Sequence, residues 1–314
     1  MNLKNNKNIC IISSGGDSPG MNKLIYLLAK GLKENFTVFV GKKGFAGLHD
    51  DLISEVTDLS EYEKRQNDAG SIIGSSRFHK LNIHEEHTKR IRDNLFKRDI
   101  RRLIILGGDG SAIGGEVLSK LDLQVTIIPC SIDNDYSITE LTIGALSAKE
   151  NNQRLIYDLN LTAKTHDAIN LVEAMGRLCP WLTHASVENL DPLLVIDNQN
   201  FRRNRTGLVK LIKKALAEKG RYDPVIMVQE NLYSDESYRW AKEQLALELN
   251  IPLRITRLGY LQRGAPVCEQ DLILAKKMSN AVIDWYIKNP GDDSMHIVII
   301  DEKENIKIRN RSIY

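Results

Sequence analysis

The stretch that decides the fold class reads Ile9-Cys10-Ile11-Ile12-Ser13-Ser14-Gly15-Gly16-Asp17-Ser18-Pro19-Gly20-Met21-Asn22. It begins with a short apolar run, residues 9–12, which is typical of a buried strand, and a glycine-rich turn follows. Beyond the turn, apolar residues recur at helical spacing, at Met21, Leu24, Ile25, Leu28 and Leu32. A strand, a turn and a helix in this order form the repeating unit of an α/β protein with a parallel sheet.

The same alternation continues to the end of the chain. Further strands are predicted at residues 36–40, 103–106, 125–128, 169–172, 193–196, 225–228, 253–256 and 295–300. Long helices are predicted over residues 142–164 and 271–287, and the second ends before the stretch Asn289-Pro290-Gly291. Because the sequence has no proline- or serine-rich linker, we expect two lobes joined by several crossings of the chain.

Composition limits the classes of ligand. The 314 residues are enough for two packed units, and a content of 42% hydrophobic and 27% charged residues carries no signature of disorder. The formal net charge is only +2, so no general affinity for nucleic acid or membranes is indicated, and any anionic ligand must be held by local groups. Cys10, Cys130, Cys179 and Cys268 form no Cys-x-x-Cys motif, and the first apolar run is too short for a signal peptide. We expect reduced thiols in a cytoplasmic protein.

Two turns have the composition of phosphate-binding sites. In the first, the adjacent Gly15 and Gly16 allow backbone N–H groups to approach a phosphate, and the following helix directs its positive end toward an anion. A plain strand-to-helix turn is the alternative, but one glycine would be sufficient for it. The second turn, Gly107-Gly108-Asp109-Gly110-Ser111, follows the strand at 103–106. A carboxylate beside a glycine cradle, as at Asp109, is well suited to Mg²⁺, which prefers oxygen ligands.

A third polar turn, Pro129-Cys130-Ser131-Ile132-Asp133-Asn134-Asp135, follows the strand at 125–128. Open α/β sheets bind their ligands at turns in this position. Of its two carboxylates, one can accept a proton from an attacking hydroxyl while the other stays ionised near a metal or an arginine. An ordinary solvated turn is an equally good interpretation of this segment alone, because Asp and Asn favour turns.

In this order, the three turns resemble those of the ATP-type 6-phosphofructokinases. The first differs from the family pattern by Ser18 in place of Ala, the second is intact, and the third has Ser131 in place of Thr. Further matches are Gly74-Ser75-Ser76-Arg77, Glu173-Ala174-Met175-Gly176-Arg177 and Leu258-Gly259-Tyr260-Leu261-Gln262-Arg263-Gly264. The resemblance implies the phosphofructokinase fold, an α/β fold of two Rossmann-like lobes with mainly parallel sheets sandwiched by helices.

The resemblance also implies a lobe arrangement and an activity. Residues 1–144 with 258–303 would form a larger nucleotide-binding lobe, and residues 145–257 with 304–314 a smaller sugar-phosphate-binding lobe. The activity would be phosphoryl transfer from ATP, with Mg²⁺ as cofactor, to a hydroxyl of a sugar phosphate such as fructose 6-phosphate, giving fructose 1,6-bisphosphate. The partners would be these substrates and further copies of the chain in a dimer or tetramer, without nucleic acid or membrane.

Residue roles follow from the same resemblance. Asp133 would be the general base, Asp135 would support it, and Asp109 would bind Mg²⁺. The catalytic set also comprises Gly16, through its backbone N–H, and Arg77 and Arg177, through their charge. The nucleotide-binding set is Gly16, Arg77, Phe78, Gly108, Asp109, Gly110, Ser111 and Gly114. The substrate-binding set is Ser131, Asp133, Met175, Gly176, Arg177, Glu230, Arg254, Tyr260 and Arg263.

Donor choice in this family depends on two positions. Pyrophosphate users have a second turn similar to Gly-Gly-Asp-Asp. This chain has Gly110 at the last of these positions, which leaves room for an α-phosphate and a nucleoside. In the third turn the chain has Cys130, which is neither the glycine of ATP users nor the lysine of pyrophosphate users. Gly114 also fits a nucleotide lying close to the backbone. ATP is therefore the predicted donor, with a pyrophosphate-dependent enzyme as the alternative.

Two departures from the family pattern fall on the acceptor side. Ala168 replaces an arginine that reaches a neighbouring subunit's substrate phosphate, and Tyr260 replaces a histidine. A charge-assisted hydrogen bond contributes about 1.5–3 kcal/mol, so loss of the arginine corresponds to roughly tenfold to a hundredfold weaker phosphate binding. Either Lys164 or His166 supplies the missing charge, or the pocket has changed toward another phosphorylated sugar or a polyol. Both interpretations stay open at this point.

A function without catalysis is the remaining alternative. A sugar-phosphate sensor that kept the fold would be expected to have lost parts of the transfer machinery. Asp109, Asp133 and Arg177 are all present, and this disfavours the sensor. The sequence therefore favours an enzyme whose donor side is better specified than its acceptor side.

Overall fold

The computed structural model describes residues 6–82, 85–220 and 223–310. The chain divides into two compact units. The first consists of the described residues within 1–131, 136–147 and 266–314, and the second of those within 132–135 and 148–265. Within the described ranges, no helix combines the length and apolar composition needed to cross a membrane.

The strands and helices alternate along the chain, as the sequence predicts. The strands are β1 (Asn8–Ser13), β2 (Thr37–Gly41), β3 (Ile53–Glu55), β4 (Arg102–Gly107), β5 (Gln124–Pro129), β6 (Ile169–Ala174), β7 (Leu194–Ile196), β8 (Val225–Gln229), β9 (Leu253–Arg257), β10 (His296–Ile300) and β11 (Ile306–Asn310). The helices are α1 (Met21–Leu32), α2 (Gly44–His49), α3 (Ser60–Arg65), α4 (Glu85–Phe96), α5 (Asp109–Ser119), α6 (Ala145–Thr165), α7 (Trp181–Ala185), α8 (Arg205–Lys219), α9 (Asp235–Leu249) and α10 (Glu269–Lys288). Single 3-10 turns lie at His79–Asn82 and Gly259–Gln262.

The first unit is built on a seven-stranded sheet in the order β11-β10-β5-β4-β1-β2-β3. Its central strands are parallel, with Ile11 opposite Ile104 and Ile104 opposite Thr126, and only the outer pairs β2–β3 and β10–β11 are antiparallel. Every residue of β4 and β5 is buried, because helices cover both faces of the sheet. The carboxyl ends of β1, β4 and β5 lie side by side, which brings the first two polar turns and the beginning of the third, up to Ser131, to one edge.

The second unit contains a four-stranded parallel sheet in the order β7-β8-β6-β9. Side chains alternate between its faces: Leu171 belongs to a core shared with α8 and α9, whereas Val172 belongs to a core shared with α6. The carboxyl ends of β6 and β8 carry the segments that begin at Met175 and Glu230. These ends hold four of the nine predicted acceptor residues, Met175, Gly176, Arg177 and Glu230.

The unit boundaries differ from the predicted ones in four places. Residues 132–135, which include Asp133, fall in the second unit, and residues 145–147 fall in the first. Residues 258–265 fall in the second unit, and β11 falls in the first, where its antiparallel ladder with β10 places Ile306 opposite Ile300. Both β3 and β11 are absent from the sequence-based prediction, because β3 is short and β11 is largely polar and exposed. The rest of the predicted last segment, residues 311–314, lies outside the described residues.

Candidate active site

The first and second polar turns are bonded to each other within the first unit. Ser14 donates its backbone N–H to the carbonyl oxygen of Leu106 at 2.9 Å, and Ser111 Oγ donates to the carbonyl oxygen of Ser14 at 3.0 Å. Gly15 has a φ of 88°, in the left-handed region where glycine carries no penalty. Neighbouring parallel strands and one buried hydroxyl therefore fix the turn that leads to Gly16.

The segment before Arg77 supports this turn from another direction. Gly15 donates its N–H to the carbonyl oxygen of Ser76 at 3.1 Å, and Ser75 Oγ donates to the carbonyl oxygen of Gly15 at 3.0 Å. Ser76 Oγ donates to the carbonyl oxygen of Lys43 at 2.7 Å. Both polar groups of the Gly15 peptide unit are thus engaged, and Arg77, the next residue along, is exposed.

Asn22 anchors the same segment and was not among the predicted site residues. Its side chain is buried (2% exposed), and Nδ2 donates to the carbonyl oxygens of Asp68 at 3.1 Å and Ala69 at 3.4 Å. Its Oδ1 accepts the backbone N–H of Ile72 at 2.6 Å. The available sequence signal was an amide residue between the apolar Met21 and Leu24 at the start of α1, because a buried amide needs partners.

The second turn opens α5 with its functional groups turned outward. Gly108 precedes the helix, and Asp109 and Gly110 are exposed in its first turn. A Cβ at Gly110 would meet no atom within 4 Å, so this position faces open space. Ser111 and Gly114 are buried. The positive end of the helix and its backbone N–H groups favour an anion at this point.

Phe78 lies in a small aromatic cluster rather than against the turns. Its half-buried ring packs on His49 at a centroid distance of 5.2 Å and on His87 at 6.0 Å. His49 Nε2 lies 3.1 Å from His87 Nδ1. The described contacts therefore do not include Phe78 among the groups that surround Gly15 and Ser111.

The entry to the third turn is held by backbone bonds in the first unit. Cys130 donates its N–H to the carbonyl oxygen of Gly107 at 3.0 Å, and Ser131 donates its own to Ile143 at 3.1 Å. Burial raises the pKa of the Cys130 thiol well above its usual value, and the carboxyl of Asp271 adds to the rise. Cys130, at the position where the family has either glycine or lysine, is therefore a small and uncharged residue. Cys10 and Cys268 are also buried.

Asp133 is a carboxyl of the second unit whose pKa is strongly raised. It is buried (4% exposed), and this burial raises its pKa to about 6, with a further contribution from the charge of Asp135. The guanidinium of Arg263 acts in the opposite direction. Smaller effects come from Glu230, which raises the pKa, and from Arg177, which lowers it. A carboxyl with this pKa is well matched to accept a proton near neutral pH.

The Met175-Gly176-Arg177 segment is held by the end of β8. Glu230 Oε1 accepts the backbone N–H groups of Gly176 at 3.3 Å and Arg177 at 2.9 Å. Gln229 Nε2 donates to the carbonyl oxygen of Arg177 at 2.8 Å, while the arginine side chain is exposed. Glu230, predicted as a sugar ligand, therefore also supports the backbone of Arg177.

The remaining predicted acceptor residues lie around β9. Met175 donates its N–H to Oε1 of the buried Gln262 at 3.3 Å. Arg263 is buried (8% exposed), and Arg254 is half-buried, with Nη1 3.2 Å from Thr162 Oγ1. The structure thus joins Asp133, Arg177, Glu230 and Arg263 electrostatically, although they are far apart in sequence.

Residues 8–286 match the family described as Phosphofructokinase. The chain belongs to this family. A probable ATP-dependent 6-phosphofructokinase from Ureaplasma parvum serovar 3 is 44% identical, over 95% of this chain and 94% of its own length. An ATP-dependent 6-phosphofructokinase from Serratia proteamaculans is 33% identical, over 96% and 95%. The crystal structure of Pichia pastoris phosphofructokinase in the T-state superimposes with a TM-score of 0.84 at 27% identity, over 97% of this chain and 35% of that longer one.

The family match confirms the resemblance and the fold class, an α/β fold with mostly parallel sheets flanked by helices. It also confirms the enzyme class, a phosphotransferase. The roles of individual residues stay predictions.

The two departures from the phosphofructokinase pattern have different environments. Ala168 is buried (1% exposed), directly before β6, and its N–H donates to the carbonyl oxygen of Ala163 at 3.0 Å. Tyr260 is 83% exposed in the 3-10 turn after β9. Lys164, one of the two expected replacements for the missing charge, forms an ion pair with Asp223 at 2.8 Å. His166 is exposed. The charge of Lys164 is therefore already compensated.

The donor turns fit a magnesium ion with few protein ligands. Among the residues that the structure describes, no group of three or more His, Cys, Asp or Glu side chains is arranged to hold a metal. Asp109 offers one exposed carboxylate at the open start of α5. Mg²⁺ commonly binds through one or two carboxylates, with waters and substrate phosphates completing its shell. The residues present therefore fit this ion.

Proposed function

We propose that this phosphofructokinase-family chain is an ATP-dependent 6-phosphofructokinase, which transfers the γ-phosphoryl group of ATP to fructose 6-phosphate and forms fructose 1,6-bisphosphate. The observation that carries the proposal is Asp133, a buried carboxyl with its pKa raised to about 6 among carboxylates and arginines. Relatives named for this activity, at 44% and 33% identity over nearly the whole chain, support it.

Asp133 acts as the general base in this proposal. It accepts the proton of the sugar hydroxyl as the hydroxyl oxygen attacks the γ-phosphorus, while Asp135 stays ionised. Arg177 and Arg77 stabilise the charge on the transferring group, and the N–H of Gly16 donates to it. This division of roles is supported by the burial of Asp133 and the exposure of both arginine side chains.

The donor is bound by the turns of the first unit. Asp109 would hold Mg²⁺, which neutralises charge on the phosphates when bound. The open space at Gly110 and the neutral, buried Cys130 support ATP over pyrophosphate. Neither position has a charged side chain that would repel the nucleotide or occupy its place. Gly108, Ser111 and the other residues of the nucleotide-binding set complete the proposed donor site. The pyrophosphate-dependent alternative is not favoured.

The acceptor is bound mainly by residues of the second unit, and the predicted set also includes Ser131. Arg254 and Arg263 hold the 6-phosphate in this proposal, and Met175, Gly176 and Glu230 line the sugar. Because Ala168 is buried and Lys164 is already paired with Asp223, we expect weaker phosphate binding than an additional arginine would give. A change to another sugar or polyol is not favoured by the names of the relatives.

A homo-oligomer, dimeric or tetrameric, is supported by exposed apolar side chains of the second unit. Tyr157 (57%) and Leu161 (50%) are one turn apart on α6, and Leu261 (61%) lies in the 3-10 turn after β9. Asn151 Nδ2 donates to the carbonyl oxygen of Leu261 at 3.1 Å, so the turn lies next to α6. Apolar patches of this kind commonly mark protein interfaces. The cytoplasmic location stays a prediction from the sequence.

Transfer assays test the proposed function directly. The purified chain is incubated with Mg²⁺, either ATP or pyrophosphate, and a panel of sugar phosphates and polyols. We expect ADP and fructose 1,6-bisphosphate only from ATP and fructose 6-phosphate. Transfer from pyrophosphate alone, or to another acceptor alone, would contradict the proposal.

A further inference from the structure

Arg177 has a backbone conformation that an arginine rarely adopts. Its φ is 50°, in the left-handed region, and a non-glycine residue stays there only where its surroundings stabilise it. Its guanidinium is close enough to Asp133 to lower the pKa of that carboxyl. The groups that select this backbone conformation therefore also determine where the guanidinium lies.

Gln229, the last residue of β8, is fully buried and uses both ends of its amide. Nε2 donates to the carbonyl oxygen of Arg177 at 2.8 Å, and Oε1 accepts the backbone N–H of Asn198 at 3.0 Å. Asn198 Nδ2 donates to the carbonyl oxygen of Leu178 at 2.9 Å. Two successive carbonyls, those of Arg177 and Leu178, are thus bound by one connected pair of amide side chains.

The turn that carries Asn198 is itself firmly held. The carboxyl of Asp197 is buried and accepts the backbone N–H groups of Gln199 at 2.9 Å and Asn200 at 3.1 Å. His184 Nε2 lies 2.7 Å from its other oxygen. Asn198 therefore extends from a turn that is itself held by hydrogen bonds. Its own hydrogen bonds can restrain the position of the segment after Arg177, because Asn198 does not move with that segment.

We propose that Gln229 and Asn198 are positioning residues for Arg177, which hold its backbone in the left-handed conformation and so place its guanidinium for phosphoryl transfer. The inference rests on the proposed role of Arg177 in the transfer step. Glu230 fixes the N–H side of the same residue, at 2.9 Å, and the amide pair fixes the carbonyl side. Loss of Gln229 leaves the arginine attached on one side only.

The test uses Gln229→Met, which keeps the length of the side chain and removes both hydrogen bonds. We expect kcat to fall by about tenfold to a hundredfold, with both KM values within about threefold of wild type, because the arginine acts mainly in the transition state. The decisive measurement is a double-mutant cycle with Arg177→Ala. In that background, Gln229→Met should change kcat by less than about twofold.

Asn170→Leu is the matched control. Asn170 is also buried (1% exposed), lies in the same sheet, and donates from Nδ2 to the carbonyl oxygen of Leu159, but it is at the opposite end of β6 from Met175. It should lower thermal stability by an amount similar to Gln229→Met and leave kcat near wild type. Equal losses of kcat in both variants, or an undiminished effect of Gln229→Met in the Arg177→Ala background, would overturn the inference.

A crystal structure of Gln229→Met separates this inference from the proposed function. The inference expects Arg177 to leave its φ near 50°, and a retained left-handed conformation would overturn it whatever the substrate proves to be. If Arg177→Ala keeps wild-type turnover, both the role of Arg177 and the inference are wrong. If wild type transfers to another acceptor, only the proposed acceptor is wrong, and the cycle is measured with that acceptor.

Discussion

The donor turns of the first unit and the acceptor loops of the second unit are built from different chemistry. Around Gly15 the interactions are backbone hydrogen bonds of Ser14 and Ser76 and a hydrogen bond from the side-chain hydroxyl of Ser111. Around Asp133 they are charges, some of them buried, and they shift the pKa of its carboxyl to about 6. The backbone conformation therefore determines the properties of the donor turns, whereas electrostatic interactions determine those of the acceptor loops.

This difference predicts how each region responds to substitution. A change of volume or of a backbone anchor should act on the donor KM, because the turns bind through their conformation. A change of charge should act on turnover and on its pH dependence, because low exposure strengthens electrostatic effects. The following substitutions test the contrast, from the largest expected effect to the smallest.

Asp133→Ser removes the general base. We expect kcat to fall by about a hundredfold to ten-thousandfold, with the KM for fructose 6-phosphate nearly unchanged. Steady-state kinetics with ATP and fructose 6-phosphate measure both. Asp223→Ser, in the same unit but paired with Lys164, is the control and should keep its turnover. Near-wild-type kcat for Asp133→Ser would show that another group accepts the proton.

Gly110→Asp places a negative side chain in the open space at the start of α5. The KM for ATP should rise by about tenfold or more through crowding and charge repulsion, while the acceptor KM stays constant. Folding should be unaffected, since a Cβ meets no atom within 4 Å and an acidic residue suits the first turn of a helix. Gly110→Ala separates volume from charge and should have the smaller effect. An unchanged ATP KM would place the nucleotide elsewhere.

Asn22→Ala removes the amide that holds residues 68–72 beside the first turn. Loss of its three hydrogen bonds should lower the free energy of unfolding by about 1–3 kcal/mol and raise the ATP KM by about threefold to tenfold. Asn94→Ala is the matched control, because Asn94 is also buried and donates to the carbonyls of Leu48 and His49. Thermal unfolding and donor kinetics on both variants decide whether the KM effect is specific to Asn22.

Asp135→Asn removes a negative charge that raises the pKa of Asp133. The base must be ionised, so kcat/KM in wild type should rise with pH through a midpoint near the pKa of about 6. Without the charge of Asp135, ionisation of Asp133 becomes easier and the midpoint should move to lower pH. Asp158→Asn, an exposed carboxyl on α6, should leave the profile in place. A shift to higher pH would contradict the assignment.

Much of the fold could be predicted because its central strands are continuous apolar runs. β1, β4 and β5 were predicted within two residues of their observed ends, and the glycine turns after them identify the donor edge. β3 and β11 were missed, because short or polar edge strands lack a periodic signal and form only by pairing with β2 and β10.

The sequence by itself determined the local elements, the glycine turns and the family, because all three depend on residues that are close together along the chain. Only the tertiary structure decided the pKa of Asp133, the pairing of Lys164 with Asp223 and the anchoring of Arg177 by Gln229. These properties depend on burial and on charges or amides from distant segments. Asp133 could have belonged to an ordinary turn, and its burial beside Asp135 and Arg263 gives it the properties of a base.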